Sequence, residues 1–425
     1  MRLIELKDLT VLRFIMTDMG LGKTFTGAEK LIQLGADVNL VVCQKSKVQD
    51  WLEHFKTYYG GYIFDLTNPK EFAAFEIQVS TYNSGLSKKV YPTGNPTVIA
   101  VINYDLMFRR KFLQELHNFT LMLDESSMIQ NDTAKRTKAI LKLDAKNVIL
   151  LSGTPVGGKY ENLYTQLKLL GWNITKTAYW DRYIKYRMES FGGCFPFKVV
   201  TGYKNITELK EKLKSLGADF LTTNEVFDLP QQNFNKVLVP ATTSYKQFRK
   251  DKIITIDGKE YVGDNPLKNL LYSRMLCGQF NKAKLAAFKD LVDSTDGRLI
   301  VFYNFNDELT ALRSMIKDRK TSVINGTNKD LTAYNSFDDS ITFVQYQAGA
   351  MGLNLQKANH VIYFTLPLSS ELYEQSKKRI HRIGQTQPCF YYNLICKNTV
   401  EEHILATLEK RKDYTAELFR KDGFE

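Results

Sequence analysis

Short runs of almost uninterrupted apolar residues recur along the chain, separated by longer stretches with helical periodicity. In the first part they are RFIMT (13–17), VNLVVC (38–43), VIAVI (98–102), TLMLD (120–124) and NVILLS (147–152). The pattern resumes with RLIVFY (298–303), TSVIN (321–325), ITFVQ (341–345), HVIYF (360–364) and CFYYNLI (389–395). Runs without polar alternation predict strands buried on both faces, as in parallel sheets. Strands alternating with helices predict doubly wound α/β domains, and two such blocks predict two α/β lobes.

The middle of the chain reads differently. ITELKEKLKSLG (206–217) is an amphipathic helix closed by Gly217, and a strand-like NKVLVP is followed by helical SYKQFRKD and NLLYSRMLCGQFNKAKLAAFKDLVD. The expected organisation is a first lobe over 1–160, its helical protrusion and a linker over 161–234, a helical protrusion of the second lobe over 235–296, and the second lobe over 297–425. The tail VEEHILATLEKRKDYTAELFRK predicts a final amphipathic helix.

At 425 residues the chain is long enough for two or three domains. No run approaches the ~20 apolar residues of a membrane span. The five cysteines (Cys43, Cys194, Cys277, Cys389, Cys396) include no CxxC pair, which predicts a reduced, cytoplasmic setting without disulfides or zinc. A net charge of +12 favours a polyanionic partner, and the basic excess is greatest over residues 161–296.

Three clusters carry candidate chemistry. Thr17-Asp18-Met19-Gly20-Leu21-Gly22-Lys23-Thr24 follows an apolar strand and opens a helical pattern, the context of a phosphate-binding loop. Met19, Gly20, Leu21 and Gly22 would cradle phosphates, Lys23 would reach the β and γ phosphates of ATP, and Thr24 would bind Mg²⁺. Thr17 stands where the strict motif has its first glycine. Asp124-Glu125 closes the strand TLMLD, at the edge where α/β sheets bind ligands. Asp124 would hold Mg²⁺, and Glu125 would activate the attacking water. Ser152-Gly153-Thr154-Pro155 closes the next strand. In EQSKKRIHRIGQ, Arg379 and Arg382 lie three apart on a predicted helix and would share a face suited to a γ-phosphate.

Taken in order, these segments resemble the Swi/Snf type of DNA translocase within helicase superfamily two. DMGLGKT resembles motif I, LVVCQKSKVQDWLEHF (40–55) motif Ia, VIAVINYDLM (98–107) motif Ib, LMLDESSMIQN (121–131) motif II and LLSGTPVGGKYENLY (150–164) motif III. IVFYNFND (300–307) is similar to motif IV, INGT (324–327) to the segment after it, QAGAMGLNLQKANHVI (347–362) to motif V and EQSKKRIHRIGQTQP (374–388) to motif VI. KNTVEEHIL (397–405) resembles the brace that follows.

The resemblance implies two RecA-like lobes that close on a DNA duplex with ATP and reopen on hydrolysis, moving along one strand. It implies an ATPase set of Gly20 to Thr24, Asp124, Glu125, Arg379 and Arg382, with Gly352 and Asn354 sensing nucleotide or interface. It implies backbone phosphate contacts at Lys45, Ser46, Asn103, Tyr104, Tyr303, Asn304, Gly326, Thr327, Gln347 and Ala348. A lean, monomeric bacterial or bacteriophage member acting on double-stranded DNA, forked or single-stranded DNA being alternatives, is the expectation.

Departures from the family pattern are visible. Ser127 stands where many relatives have histidine, so coupling between motifs II and III is expected to differ. The first glutamine is Gln33, so either upstream residues are missing from this sequence or adenine selection is loose. FLTTNEVFDLP (220–230) lacks the arginine of the family's pre-linker element, and LSS (368–370) replaces its tryptophan-asparagine-proline run. The competing readings are a strand-separating helicase, which needs a separation element that no sequence feature identifies, and a non-enzymatic DNA-binding scaffold.

Overall fold

A computed structural model describes residues 14–17, 23–84, 97–153, 159–190, 196–221, 229–349 and 353–419. The chain divides into two compact units, Met1–Val226 with Tyr414–Glu425, and Phe227–Asp413.

The first unit is built on a parallel seven-stranded sheet. Its strands are β1 (Phe14–Thr17), β2 (Val38–Cys43), β3 (Tyr62–Asp65), β4 (Val98–Asn103), β5 (His117–Asp124), β6 (Asp144–Ser152) and β9 (Ala218–Leu221), in the order β3-β4-β2-β5-β6-β1-β9. Successive side chains go to opposite faces. Leu40, Val42, Ala100, Ile102, Leu121 and Leu123 enter one core, and Val41, Cys43, Ile99, Val101 and Met122 enter the other. Both faces are therefore covered, which is why these strands read as continuous apolar runs. Each large apolar side chain buried this way contributes about 1.5–3 kcal/mol. An antiparallel hairpin, β7 (Ile184–Glu189) with β8 (Phe197–Tyr203), stands outside this sheet.

The second unit repeats the plan with six parallel strands. These are β10 (Gln232–Val239), β13 (Leu299–Tyr303), β14 (Thr321–Ile324), β15 (Ile341–Gln345), β16 (His360–Tyr363) and β17 (Cys389–Cys396), ordered β10-β17-β16-β13-β15-β14. Again Ile300 and Phe302 enter one core while Leu299, Val301 and Tyr303 enter the other. A second hairpin joins β11 (Ile253–Ile256) to β12 (Lys259–Val262).

All ten strands expected from apolar runs are present, with ends shifted by up to three residues. The stretches read as helical protrusions also contain strands: two hairpins, and β9 and β10, which extend the lobe sheets at their edges. The run from 269 to 293 is two helices, Pro266–Cys277 and Lys282–Asp293. The break falls at Gly278, where a Cβ would lie 2.5 Å from Glu308 Oε1. Asn281 then caps the second helix, its side chain accepting from Lys284 N. The tail forms the helix Val400–Phe419. Among the described residues no helix is long and apolar enough to cross a membrane, and Cys43, Cys277, Cys389 and Cys396 are buried free thiols.

Candidate active site

Register brings the first-lobe candidates together. β5 pairs with β6 so that Asp124 faces Leu151, and β1 pairs with β6 so that Met16 faces Ser152. The C-terminal ends of β1, β5 and β6 are thereby side by side. The helix Lys23–Gln33 packs over them through Gly27, where a Cβ would lie 2.7 Å from Leu151 Cδ1 and 3.1 Å from Met122 Sδ. That close approach sets the height of Lys23 and Thr24 above the sheet. Met19, Gly20, Leu21 and Gly22 lie outside the described residues, as does Gly352.

Asp124 is half-buried, and desolvation of its carboxylate is the main reason its pKa is raised. The largest opposing effect is a hydrogen bond from the Trp51 indole, Nε1 to Oδ2 at 2.9 Å; the positive charge of Lys23 also favours the ionised form. Trp51 sits on the helix Val48–Tyr58 and stacks on Phe55 at 5.5 Å, which fixes its ring.

Glu125 has left-handed backbone angles, φ 60° and ψ 63°. For a non-glycine residue that conformation costs about 1–2 kcal/mol and persists only where surroundings enforce it. Here the enforcement is visible. The buried Tyr104 hydroxyl donates to the carbonyls of Asp124 (3.0 Å) and Glu125 (3.3 Å). Ser127 Oγ and Ser152 Oγ both donate to Glu125 Oε1, at 3.0 and 2.9 Å. Ser126 Oγ donates to Gln166 Oε1 at 2.8 Å, anchoring the turn from behind. The segments resembling motifs II and III are therefore joined directly through Glu125, with Ser127 as the second donor. Trp51, Tyr104 and Ser152 were each in a recognised segment, but their hydrogen bonds to the carboxylate turn depend on cross-strand placement, which sequence spacing does not report.

In the second lobe the arginine cluster needs a correction. The helix Ser370–Lys377 ends before Arg379, so Arg379 and Arg382 lie in a turn rather than on one helical face. Past Lys377 the ladder tightens and lengthens, Arg379 N reaching Ser376 O at 3.2 Å and His381 N reaching Lys377 O at 3.4 Å, while the turn's carbonyls also accept from outside it: Lys377 O from the Tyr391 hydroxyl, Arg379 O from Leu355 N and Ile380 O from Gln385 Nε2. Arg379 is buried, and Arg382 is half-buried with its pKa lowered by that burial. Arg382 Nη1 lies 3.4 Å from Leu353 O. Gln385 also donates to Gln356 O and Ala358 O, at 3.2 and 2.9 Å. Segment 353–358, which carries the exposed Asn354, is thus tied to both arginines.

The ten candidate phosphate contacts divide by exposure. Lys45, Gly326, Thr327 and Gln347 are exposed and Ser46 is half-exposed. Asn103, Tyr104, Tyr303 and Ala348 are buried, so their side chains are turned away from any external phosphate. Tyr104 instead supports the carboxylate turn, and the Asn304 amide is spent on Thr365 Oγ1 (2.8 Å) and on the carbonyls of Thr365 and Leu366.

Parallel α/β sheets with ligand groups at their C-terminal strand ends define an α/β nucleotide-site architecture. The SNF2-related domain matches residues 11–282, and the helicase conserved C-terminal domain matches residues 283–384. The chain belongs to the SNF2-related family. It is 25% identical over 418 residues to the SWI/SNF-related matrix-associated actin-dependent regulator of chromatin subfamily A-like protein 1 of Drosophila melanogaster, with 94% of this chain and 52% of that protein covered. Identity to an uncharacterized ATP-dependent helicase of Mycoplasma genitalium is 21% over 444 residues, covering 93% of this chain and 39% of that protein. The chain spans about half the length, or less, of these two relatives. Among solved structures, the Sulfolobus solfataricus SWI2/SNF2 ATPase core in complex with dsDNA aligns over 97% of this chain and 90% of its own, at 17% identity and a TM-score of 0.43.

Proposed function

We propose that this chain is a DNA-dependent ATPase that moves along double-stranded DNA without needing to separate its strands, and so remodels DNA or protein–DNA complexes. The observation that carries the reading is the Asp124–Glu125 turn: two carboxylates at the C-terminal end of a buried strand, one of them held in a strained conformation by three hydroxyl donors. Strain retained at such a position is the mark of a functional requirement.

The carboxylate of Asp124 and the hydroxyl of Thr24 are hard oxygen donors and suit Mg²⁺. When bound, that ion would neutralise charge on the β and γ phosphates of ATP. Lys23 holds the phosphates. Glu125 orients the attacking water and accepts its proton, while the serine donors on Oε1 keep the carboxylate aimed. Arg379 and Arg382 stabilise charge developing on the γ-phosphate, and Asn354 reports nucleotide state to their turn. Lys45, Ser46, Gly326, Thr327 and Gln347 track the phosphate backbone, a mode that gives affinity without base readout.

The test is ATP turnover with no DNA, single-stranded DNA, blunt duplex and forked DNA. Strong stimulation by blunt duplex is expected. Stimulation by forks alone would favour strand separation, and no turnover under any condition would leave a binding scaffold. Duplex affinity should fall steeply with salt, because phosphate neutralisation releases counterions.

A further inference from the structure

A cleft of about 390 Å³ opens on the first lobe beside the residues that follow the carboxylate turn. Its walls include Lys159, Glu161 and Trp180 together with Lys176, which is ion-paired with Asp132 at 2.7 Å. Trp180 belongs to the helix Lys176–Tyr183, and its indole N–H is buried without an acceptor. A buried donor left unsatisfied is unfavourable, and a ligand bearing acceptors would relieve it.

The β7–β8 hairpin continues this wall. Tyr186 pairs with Val200 and Met188 with Lys198, so these four share one face. Lys198 Nζ lies 4.0 Å from the Tyr186 ring centroid and 5.2 Å from that of Trp180. The two rings are 5.8 Å apart at 65°. Met188, further out, is 55% exposed, so the face is open to solvent.

Charge decides what kind of partner fits. Among the basic residues from 182 to 204, Arg182 and Arg187 are paired with Glu208 and Glu189. Lys185, Lys198 and Lys204 form no ion pair among the described residues, leaving local positive charge. Ammonium groups beside partly exposed aromatic rings are a composition that binds an unpaired strand, since every base has a face to stack.

We infer that the cleft and the adjoining hairpin face bind a single strand of DNA, with bases stacked on Trp180 and Tyr186 and a phosphate at Lys198. This rests on the reading of the chain as a DNA motor and gives it a contact for an unpaired strand, separate from the duplex-tracking residues.

The experiment compares the full chain with Trp180→Ala/Tyr186→Ala and with Lys198→Glu, which keeps both rings and reverses the charge beside them. Fluorescence anisotropy is read with oligothymidylate, blunt duplex and a fork with one single-stranded arm. The expected result is about tenfold weaker binding of oligothymidylate and fork by both variants, with blunt-duplex affinity unchanged. Lys198→Glu should also flatten the dependence of single-strand affinity on salt. Unchanged oligothymidylate binding in both variants, as a protein-docking cleft would give, overturns the inference. So does an equal loss on blunt duplex, or a wild-type chain that does not bind oligothymidylate. The two readings fail separately: a wild type without DNA-stimulated turnover removes the motor, whereas stimulated turnover with indifferent variants removes only this cleft.

Discussion

In the first lobe, buried negative charge sits at the ligand edge of the sheet and is tended by neutral donors: an indole on Asp124, two serine hydroxyls on Glu125. In the second lobe, one buried carboxylate meets opposite charge. Lys284 Nζ lies 2.6 and 2.7 Å from the two oxygens of Glu401, with side-chain exposures of 0% and 2%. Glu401 also accepts from Cys396 N, which fastens the start of the last helix to the end of β17. The other buried carboxylate of this lobe, Glu308, is held instead by neutral donors, the Asn304 and Phe305 N–H groups and the Thr365 hydroxyl, all on Oε2. Neutral donors orient a carboxylate without cancelling its charge, so it can still hold a cation or take a proton. An ammonium cancels it, and the pair serves architecture alone.

The sharpest way to break this contrast is Glu125→Gln, which keeps the shape and removes the base. Turnover should fall roughly a thousandfold, a loss in the usual range for a general base, while ATP affinity and melting temperature hold. Single-turnover hydrolysis at the wild-type rate would remove Glu125 from its proposed role.

Glu401→Gln should do the reverse, sparing the chemistry of any folded molecule but costing about 3–5 kcal/mol of stability, because it leaves a buried ammonium uncompensated. Urea denaturation measures this, and the apolar double change Lys284→Met/Glu401→Leu should recover most of the loss. A single variant as stable as wild type would show the pair to be dispensable.

Trp51→Phe retains the ring stack and deletes the indole N–H. Since a hydrogen bond to a charged group contributes about 1.5–3 kcal/mol, turnover should drop about tenfold or somewhat more, with a higher Mg²⁺ requirement. A Mg²⁺ titration superimposable on wild type would mean that Asp124 does not need the indole. Ser127→Ala should have the smallest effect, a few-fold loss, because Ser152 still donates to the same oxygen. If the change were instead as damaging as Glu125→Gln, the two serines would not be sharing one task.

Much was legible from the chain alone. Continuous apolar runs such as VNLVVC and ITFVQ announced strands covered on both sides, and the structure places each between two neighbouring strands rather than at an edge. The acidic pair was legible because it ends such a run. The edge strands were harder: YIFD (62–65) is exposed to half-buried and does not carry the signature of a covered strand. The helix expected under Arg379 and Arg382 failed for a related reason. Its local periodicity was sound, but past Lys377 the backbone tightens into a turn whose carbonyls also accept from Tyr391, Leu355 and Gln385.

Burial periodicity and loop chemistry are written in neighbours along the chain, so sequence determined the two parallel sheets and the identity of the reactive groups. Which donors reach Glu125 was decided by the pairing of Asp124 with Leu151, which delivers Ser152 to the carboxylate. The left-handed turn was likewise decided by Tyr104 arriving from the end of β4. Such contacts join residues 20 or more positions apart, and only the folded register brings them within reach of one another.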